Sequence, residues 1–153
     1  MTTKKGASIR TARPEDWPAI QRLLADAGLP MDDLEAGKLD RFLVAVDPAA
    51  VPPGITGVIG LESFDRTGLL RSLAVDPASR GAGIGAELVA ALEGQASDAG
   101  ITDLWLLTVD AEVFFWKLDY RIVERRAAPA EIRNTAEFVT LCPASAHLMH
   151  KAL

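Results

Sequence analysis

Ahead of a helix-like run beginning near Ile84, the chain reads Arg80-Gly81-Ala82-Gly83-Ile84-Gly85-Ala86. Glycines this close together allow positive φ and let a ligand come close to the main chain. The first turn of a helix adds unpaired N–H groups and a positive dipole end, which together make an anion site. Arg80 adds a full positive charge at the rim. The chemistry such a run suits is a cradle for a pyrophosphate; the alternative is a tight strand-to-helix turn that binds nothing. Two cofactor classes use such a cradle. Gly81-x-Gly83-x-x-Ala86 satisfies the dinucleotide pattern in its Ala-ending form, and Asp110 follows the next strand, where a ribose-binding acid would sit. Against an NAD(P)-binding protein, Asp76-Pro-Ala-Ser-Arg80 separates the glycines from the strand. The strands before them also read as an antiparallel hairpin, and a chain of 153 residues leaves little room for a substrate half.

The elements around this run follow from apolar spacing. Ser8 to Ala12 reads as a short strand, and Pro14-Glu15-Asp16 opens a helix carried by Trp17, Ile20, Leu23, Leu24 and Ala27 and stopped at Gly28. Met31 to Leu39 reads as a second short helix. Arg41 to Val46 is a strand, and Asp47 to Gly54 a proline-rich loop. Ile55 to Phe64 and Leu69 to Val75 are strands joined by Asp65-Arg-Thr-Gly68 as a hairpin. A helix runs from Gly83 to about Ala99, with Gly100 as its stop. Ile101 to Thr108 is a nearly continuous apolar run, which predicts a buried central strand. Ala111 to Leu118 is a short helix, Tyr120 to Val123 a strand, Pro129 to Asn134 a helical turn and Ala146 to Leu153 the last strand. The expectation is one mixed α/β domain over residues 8–153 behind a disordered lead of residues 1–7.

Composition excludes several classes. The net charge is −5, which disfavours a nucleic-acid partner. No apolar run approaches the length needed to span a bilayer, and the N-terminus has no apolar stretch behind its charges; the expected location is the cytoplasm. The single cysteine, Cys142, permits no intrachain disulfide or thiolate cluster, and is most simply a small buried hydrophobe. His147 and His150 would point to opposite faces of a strand, so no metal is expected.

Arg80-x-x-Gly83-x-Gly85 after Leu70-Arg-Ser-Leu-Ala-Val-Asp-Pro77 resembles the acetyl-CoA signature of the GNAT superfamily of N-acetyltransferases. Ala111-x-x-Phe114-Phe115-x-x-Leu118-x-Tyr120 resembles its second motif, and the likeness covers residues 8–124 in element order. Gly60-Leu-Glu62, Leu70-Arg71-Ser72-Leu-Ala-Val and Glu137-Phe138 followed by Leu141-Cys-Pro-Ala-Ser-Ala146 resemble the GNAT subfamily associated with arsenic-resistance operons. The resemblance implies a GNAT-like fold: a central, mostly antiparallel sheet of about six or seven strands flanked by about four helices. It implies acetyl-CoA as acyl donor, held by Leu73, Ala74 and Val75 along the pantetheine and by Arg80, Gly81, Ala82, Gly83, Ile84, Gly85 and Ala86 at the pyrophosphate. Thr108 and Phe115 fall where the family has an asparagine and a tyrosine that serve the same site. By the same resemblance, Leu29 to Leu34 would form a mobile lip over the acceptor.

In this superfamily an amine attacks the thioester directly. Main-chain amides aimed at the developing oxyanion would stabilise it. The amine must first lose a proton, since an α-amino group has a pKa of about 7.7–8.0. Glu62, on the strand before the cofactor strand, is the candidate base; the alternative is a solvent-facing glutamate. Arg71, on the neighbouring strand, could grip a substrate carboxylate; its alternatives are a partner for Glu62 or a surface charge. Together they would suit an acceptor with an amine and an acid, as an amino acid has. Phe115 cannot donate a proton, and Tyr120 falls at a packing position, which leaves the general acid open. Trivalent arsenic seeks thiolates that one cysteine cannot supply, so an arsenic-linked acceptor would be an amino-bearing organoarsenical. The competing reading is an acyl-CoA-binding sensor that has lost its chemistry. An exposed final strand would suit a homodimer.

Overall fold

The computed structural model describes residues 8–49, 54–141 and 143–153. The expectations for residues 1–7, for the middle of the proline loop and for Cys142 lie outside them. In chain order the elements are β1 (Ser8–Thr11), α1 (Trp17–Ala27), β2 (Phe42–Asp47), β3 (Gly54–Phe64), β4 (Thr67–Val75) and α2 (Ile84–Asp98). There follow β5 (Asp103–Thr108), α3 (Glu112–Lys117), β6 (Arg121–Val123), α4 (Ala130–Arg133), a π-helical turn (Glu137–Leu141) and β7 (His147–Ala152). The strands form a seven-stranded sheet in the order β1-β2-β3-β4-β5-β7-β6. The pairings β1–β2, β2–β3, β5–β7 and β6–β7 are antiparallel, and β4–β5 is parallel. This is the mixed α/β, GNAT-like architecture expected from the sequence. No helix among the described residues is long and apolar enough to cross a membrane.

By contact the chain divides into two compact units: residues up to Gly60 with Ser72–Leu92, and Leu61–Arg71 with Glu93–Leu153. In the first, Ile20, Leu23 and Leu24 of α1 pack with Phe42, Val44, Val58 and Ala74 of the strands. Helix α1 ends where Gly28 takes φ 69° and donates to the carbonyls of Ala25 and Leu24, a left-handed stop that glycine supplies without strain. At its other end, buried Asp16 accepts two bonds from Arg10 and one from the Arg13 N–H. The Arg10 hydrogen bond is the main reason its carboxyl lies below the usual range.

Two expectations are corrected. Met31 to Leu39 is not a helix but a pair of separate turns, closed by Leu34 N–H to Met31 O (3.0 Å) and Lys38 N–H to Glu35 O (2.9 Å). The helix-like spacing of Met31, Leu34 and Leu39 serves instead to seat the turns on the first unit's core, which Leu29 joins. The final strand is not exposed: β7 lies between β5 and β6, with Leu148 and Met149 buried, so the edge that would suit a homodimer belongs to β6.

Gly60 sits directly opposite Phe42 on β2, and a Cβ built on it would meet three ring atoms at 2.4–2.8 Å. Phe42 is 3% exposed. Gly60→Ala is therefore expected to cost about 1–3 kcal/mol by overpacking, read as a lower urea midpoint at unchanged m-value. Phe42→Leu in the same chain should recover part of that loss, and an unaltered midpoint in Gly60→Ala would refute the ring-on-backbone contact.

The second unit packs Leu69, Trp105, Ala128, Ile132 and Leu148, with Phe64 and Phe138 at its margin. Strands β3 and β4 turn at Asp65–Arg66, where Asp65 takes φ 60°. An aspartate tolerates that region better than most residues do.

Candidate active site

Two features of β4 bear on chemistry. Its ladder with β5 runs from Thr67↔Asp103 to Leu69↔Trp105 and stops. Three residues further on, Ser72 takes φ 60°, a left-handed conformation rare for a buried non-glycine residue in a strand. Such an interruption marks a bulge and re-aims the main chain beyond it. Leu73, Ala74 and Val75 are that main chain. Beyond Leu69, β4 has no further ladder pair with β5 among the described residues.

The glycine run follows in the first unit. Asp76 accepts from the Ala78 N–H (3.1 Å), and Pro77–Ser79 makes one 3-10 turn. Arg80 folds back, its Nε donating to the Val75 carbonyl at 3.2 Å. Gly81 and Gly83 take φ 89° and 80°, and a Cβ built on either would meet nothing within 4 Å. The glycines are therefore required by backbone conformation, and the space beside them is open. Helix α2's first i to i−4 bond is Glu87 N–H to Gly83 O (3.0 Å). The N–H groups of Ile84, Gly85 and Ala86 lie ahead of it, at the positive end of a fifteen-residue helix. Gly81, Ala82 and Gly83 are exposed. The turn is open, and the Arg80 guanidinium lies beside it.

The other expected site residues lie in the second unit. Arg71 is buried, its side chain 1% exposed. Its Nη1 donates to Glu62 Oε2 at 2.7 Å, and its Nη2 stands 3.4 Å from Glu137 Oε1. Glu62 keeps 29% of its side chain exposed. Of the alternatives for Arg71, the structure selects the partner of Glu62: a guanidinium so enclosed and so engaged is not poised to grip a substrate carboxylate. The sequence reading gave Glu137 no role. The available signal was an acid inside the apolar run Ala136-Glu-Phe-Val139, since a buried carboxylate needs a partner.

Thr108, buried at the end of β5, accepts from the Ala111 N–H at 3.0 Å and so ties β5 to the start of α3. Phe115 is 5% exposed and lies edge-on to Phe114 and Tyr120, with centroids at 5.0 and 5.5 Å. Its ring packs against those aromatics. Tyr120 is fully buried, and its hydroxyl donates to Glu93 Oε2 at 2.8 Å. Burial, with Glu93 beside it, pushes the phenol well above its ordinary value, so it is a poor proton donor to a leaving thiolate. Glu93 is also held by Lys151 at 2.9 Å. Tyr120→Phe is accordingly expected to cost about 1 kcal/mol of stability, because Lys151 still serves Glu93. Acetyl transfer should be unchanged at saturating substrates; a fall in kcat of about tenfold or more would place the phenol in the chemistry instead. His147 and His150 each face a carboxylate, Glu112 at 3.4 Å and Asp103 at 2.8 Å, and His150 also lies 4.4 Å from the Trp105 ring centroid.

Residues 38–122 match the family model of the acetyltransferase (GNAT) domain. An amino-acid acetyltransferase of Mycobacterium tuberculosis is 32% identical over 137 residues, covering 81% of this chain and 74% of that one. A crystal structure from the same organism, in complex with CoA and NLQ, has 28% identity and a TM-score of 0.79 over 95% of this chain and 99% of that one. The N-acetylglutamate synthase of Neisseria gonorrhoeae, complexed with coenzyme A and N-acetyl-glutamate, has a TM-score of 0.83 at 21% identity. It shares the fold over 99% of this chain and 36% of its own. The glycine turn, the interrupted β4 and the matched domain agree, and the chain belongs to the GNAT family of acetyltransferases, with acetyl-CoA as the acyl donor.

Proposed function

We propose that this enzyme moves the acetyl group of acetyl-CoA to the primary amine of a small, amino-acid-like acceptor, with Glu62 as the base. The observation that carries the reading is the Glu62–Arg71 pair: a part-exposed carboxylate held at 2.7 Å by a buried guanidinium. The pair lies on the hairpin whose second strand continues into Leu73–Val75 and the glycine turn. Arg71 fixes the orientation of Glu62 through Oε2. Oε1 has no protein partner among the described residues and is the oxygen left to accept a proton.

The donor supplies an activated acyl group, its thioester carbon being open to attack. The acceptor ammonium gives one proton to Glu62, the nitrogen lone pair forms the C–N bond, the C–S bond breaks with its electrons going to sulfur, and the nitrogen's second proton passes to water to leave the neutral amide. The thiolate leaves unassisted or takes a proton from water, consistent with Tyr120 being engaged elsewhere. Main-chain N–H groups of Leu73–Val75 line the pantetheine arm and polarise the thioester carbonyl. Those of residues 81–86, with Arg80, hold the diphosphate. Thr108 and Phe115 act in this scheme by shaping the start of α3.

The amino-acid character of the acceptor is supported by the similarity to an amino-acid acetyltransferase, not by Arg71. The test is thiol release from acetyl-CoA against α-amino acids, amines lacking a carboxylate and one amino-bearing organoarsenical. Turnover of α-amino acids, with none of the simple amines, is the expected result. Turnover confined to the organoarsenical would move the enzyme to the arsenic-linked subfamily that its Leu70-Arg-Ser-Leu and Leu141-Cys-Pro motifs resemble. Coenzyme A binding without release from any acceptor would favour the sensor reading, for which Phe115 in place of a proton-donating tyrosine is the supporting feature.

A further inference from the structure

Of the large apolar side chains exposed among the described residues, three gather in one place: Val113 (65% exposed) and Trp116 (57%) on α3, and Ile122 (54%) on β6. With Glu112 and buried Met149 they line one groove, all of it within the second unit. Ile122 stands opposite Met149 in the β6–β7 ladder, so both point to the same face of the sheet, and α3 lies on that face. The groove therefore runs between α3 and the outermost strand. β6 pairs with β7 on one side, and no strand among the described residues takes its other side. Apolar side chains clustered beside an open strand edge mark a surface that meets another chain. Trp116, of a residue type that anchors such contacts, is already held in place. The Arg121 guanidinium lies 4.9 Å from its ring centroid and donates to its carbonyl at 3.0 Å.

We propose that this surface joins two copies of the chain, β6 against β6, about a two-fold axis that passes by Ile122 perpendicular to the sheet. Two features select a second copy over a partner of another kind. The first is geometry. A strand edge is complementary to its own antiparallel image, and that axis keeps each face of the sheet on its own side. One sheet then runs through both copies, and the two α3 helices lie side by side on the same face, pointing in opposite directions. Val113 and Trp116 of each copy close the groove of the other above the paired Ile122 side chains. The second feature is charge. α3 carries Glu112 in its first turn and Lys117 in its last. Reversal turns Glu112 of one copy towards Lys117 of the other, twice per dimer, whereas a parallel arrangement would set like against like. A net charge of −5 disfavours an anionic lipid surface as the occupant. β6 is three residues long, so the contact is small and a Kd of about 1–50 µM is expected. The inference is independent of the acceptor and of the role of Glu62.

Sedimentation velocity from about 0.5 to 200 µM tests this, and wild type should pass from one copy to two across that range. Val113 is mostly exposed in a single copy, so Val113→Glu should fold, with the melting temperature of the dilute protein as the check. It should raise the Kd about 100-fold or more, because two carboxylates would enter an apolar contact. Trp116→Glu is the second variant and should do the same. The charge swaps report orientation. Glu112→Lys and Lys117→Glu should each weaken self-association about tenfold by setting like charges together at both contacts. Lys117→Glu does so while leaving the contact of Glu112 with His147 intact. An equal mixture of the two swapped chains should associate as tightly as wild type, since unlike charges then meet at both places. Wild type that stays single at the highest concentration overturns the inference. So does a dimer that neither Val113→Glu nor Trp116→Glu disturbs, or a mixture no tighter than the separate swaps. Single wild-type chains that sediment with phosphatidylcholine vesicles would give the groove to a lipid surface and equally overturn it.

Discussion

Gly83→Asp is expected to weaken coenzyme A binding by about 100-fold or more, measured by titration calorimetry on the folded variant. Two effects combine. Gly83 takes φ 80°, where an L-residue is strained by about 1–2 kcal/mol. The larger effect is charge. The new carboxylate would stand in open space at the N-terminus of α2, where a diphosphate would sit. Like charges about 4 Å apart near a protein surface cost about 4 kcal/mol, of which half would suffice for most of the loss. Gly83→Asn separates the two effects, since asparagine has nearly the same size and tolerates positive φ as well as aspartate does. It should lose about tenfold or less. Affinity unchanged in Gly83→Asp would mean that the diphosphate is held elsewhere.

Glu62→Gln is expected to lower kcat by about 10²–10³-fold, the usual worth of a positioned base, with the KM for acetyl-CoA unaltered. The amide oxygen can still accept from Arg71 Nη1, so the fold should survive. The pH dependence has a definite sign. Below the amine's own pKa, wild type gains from a base that strips the ammonium and the variant does not. Above it the acceptor arrives already deprotonated, so the deficit should narrow as pH rises from about 7 towards 10. A kcat within about twofold of wild type, or a deficit constant with pH, would exclude Glu62 as the proton acceptor.

The glycine turn was legible because its signals are local. A glycine needed for positive φ and a helix that starts just after it lie within a few residues of each other, and the structure finds both at Gly81, Gly83 and Ile84. The hairpin was equally legible, which is why Glu62 and Arg71 could be weighed as partners from the sequence alone. Glu137 was not, because its meeting with Arg71 depends on a π-helical turn that has no sequence period and on the tertiary fold of the second unit. Met31 to Leu39 failed for a different reason. Apolar residues at helical spacing report that a segment packs, and two successive turns can present them as well as a helix can. The φ of Ser72 was also invisible, since nothing in Leu-Arg-Ser-Leu calls for a left-handed serine.

Strand β7 lies between β5 and β6, both of which precede it in the chain. During biosynthesis β5 therefore waits for its antiparallel neighbour, and β6, three residues long, pairs with β7 alone among the described strands. A nascent chain that has not yet emerged past His147 leaves the apolar face of Leu104 and Leu106 uncovered along an open edge, the kind of surface that recruits another strand. Lesions that stop translation early should thus yield insoluble product even though every residue discussed for cofactor binding is already present.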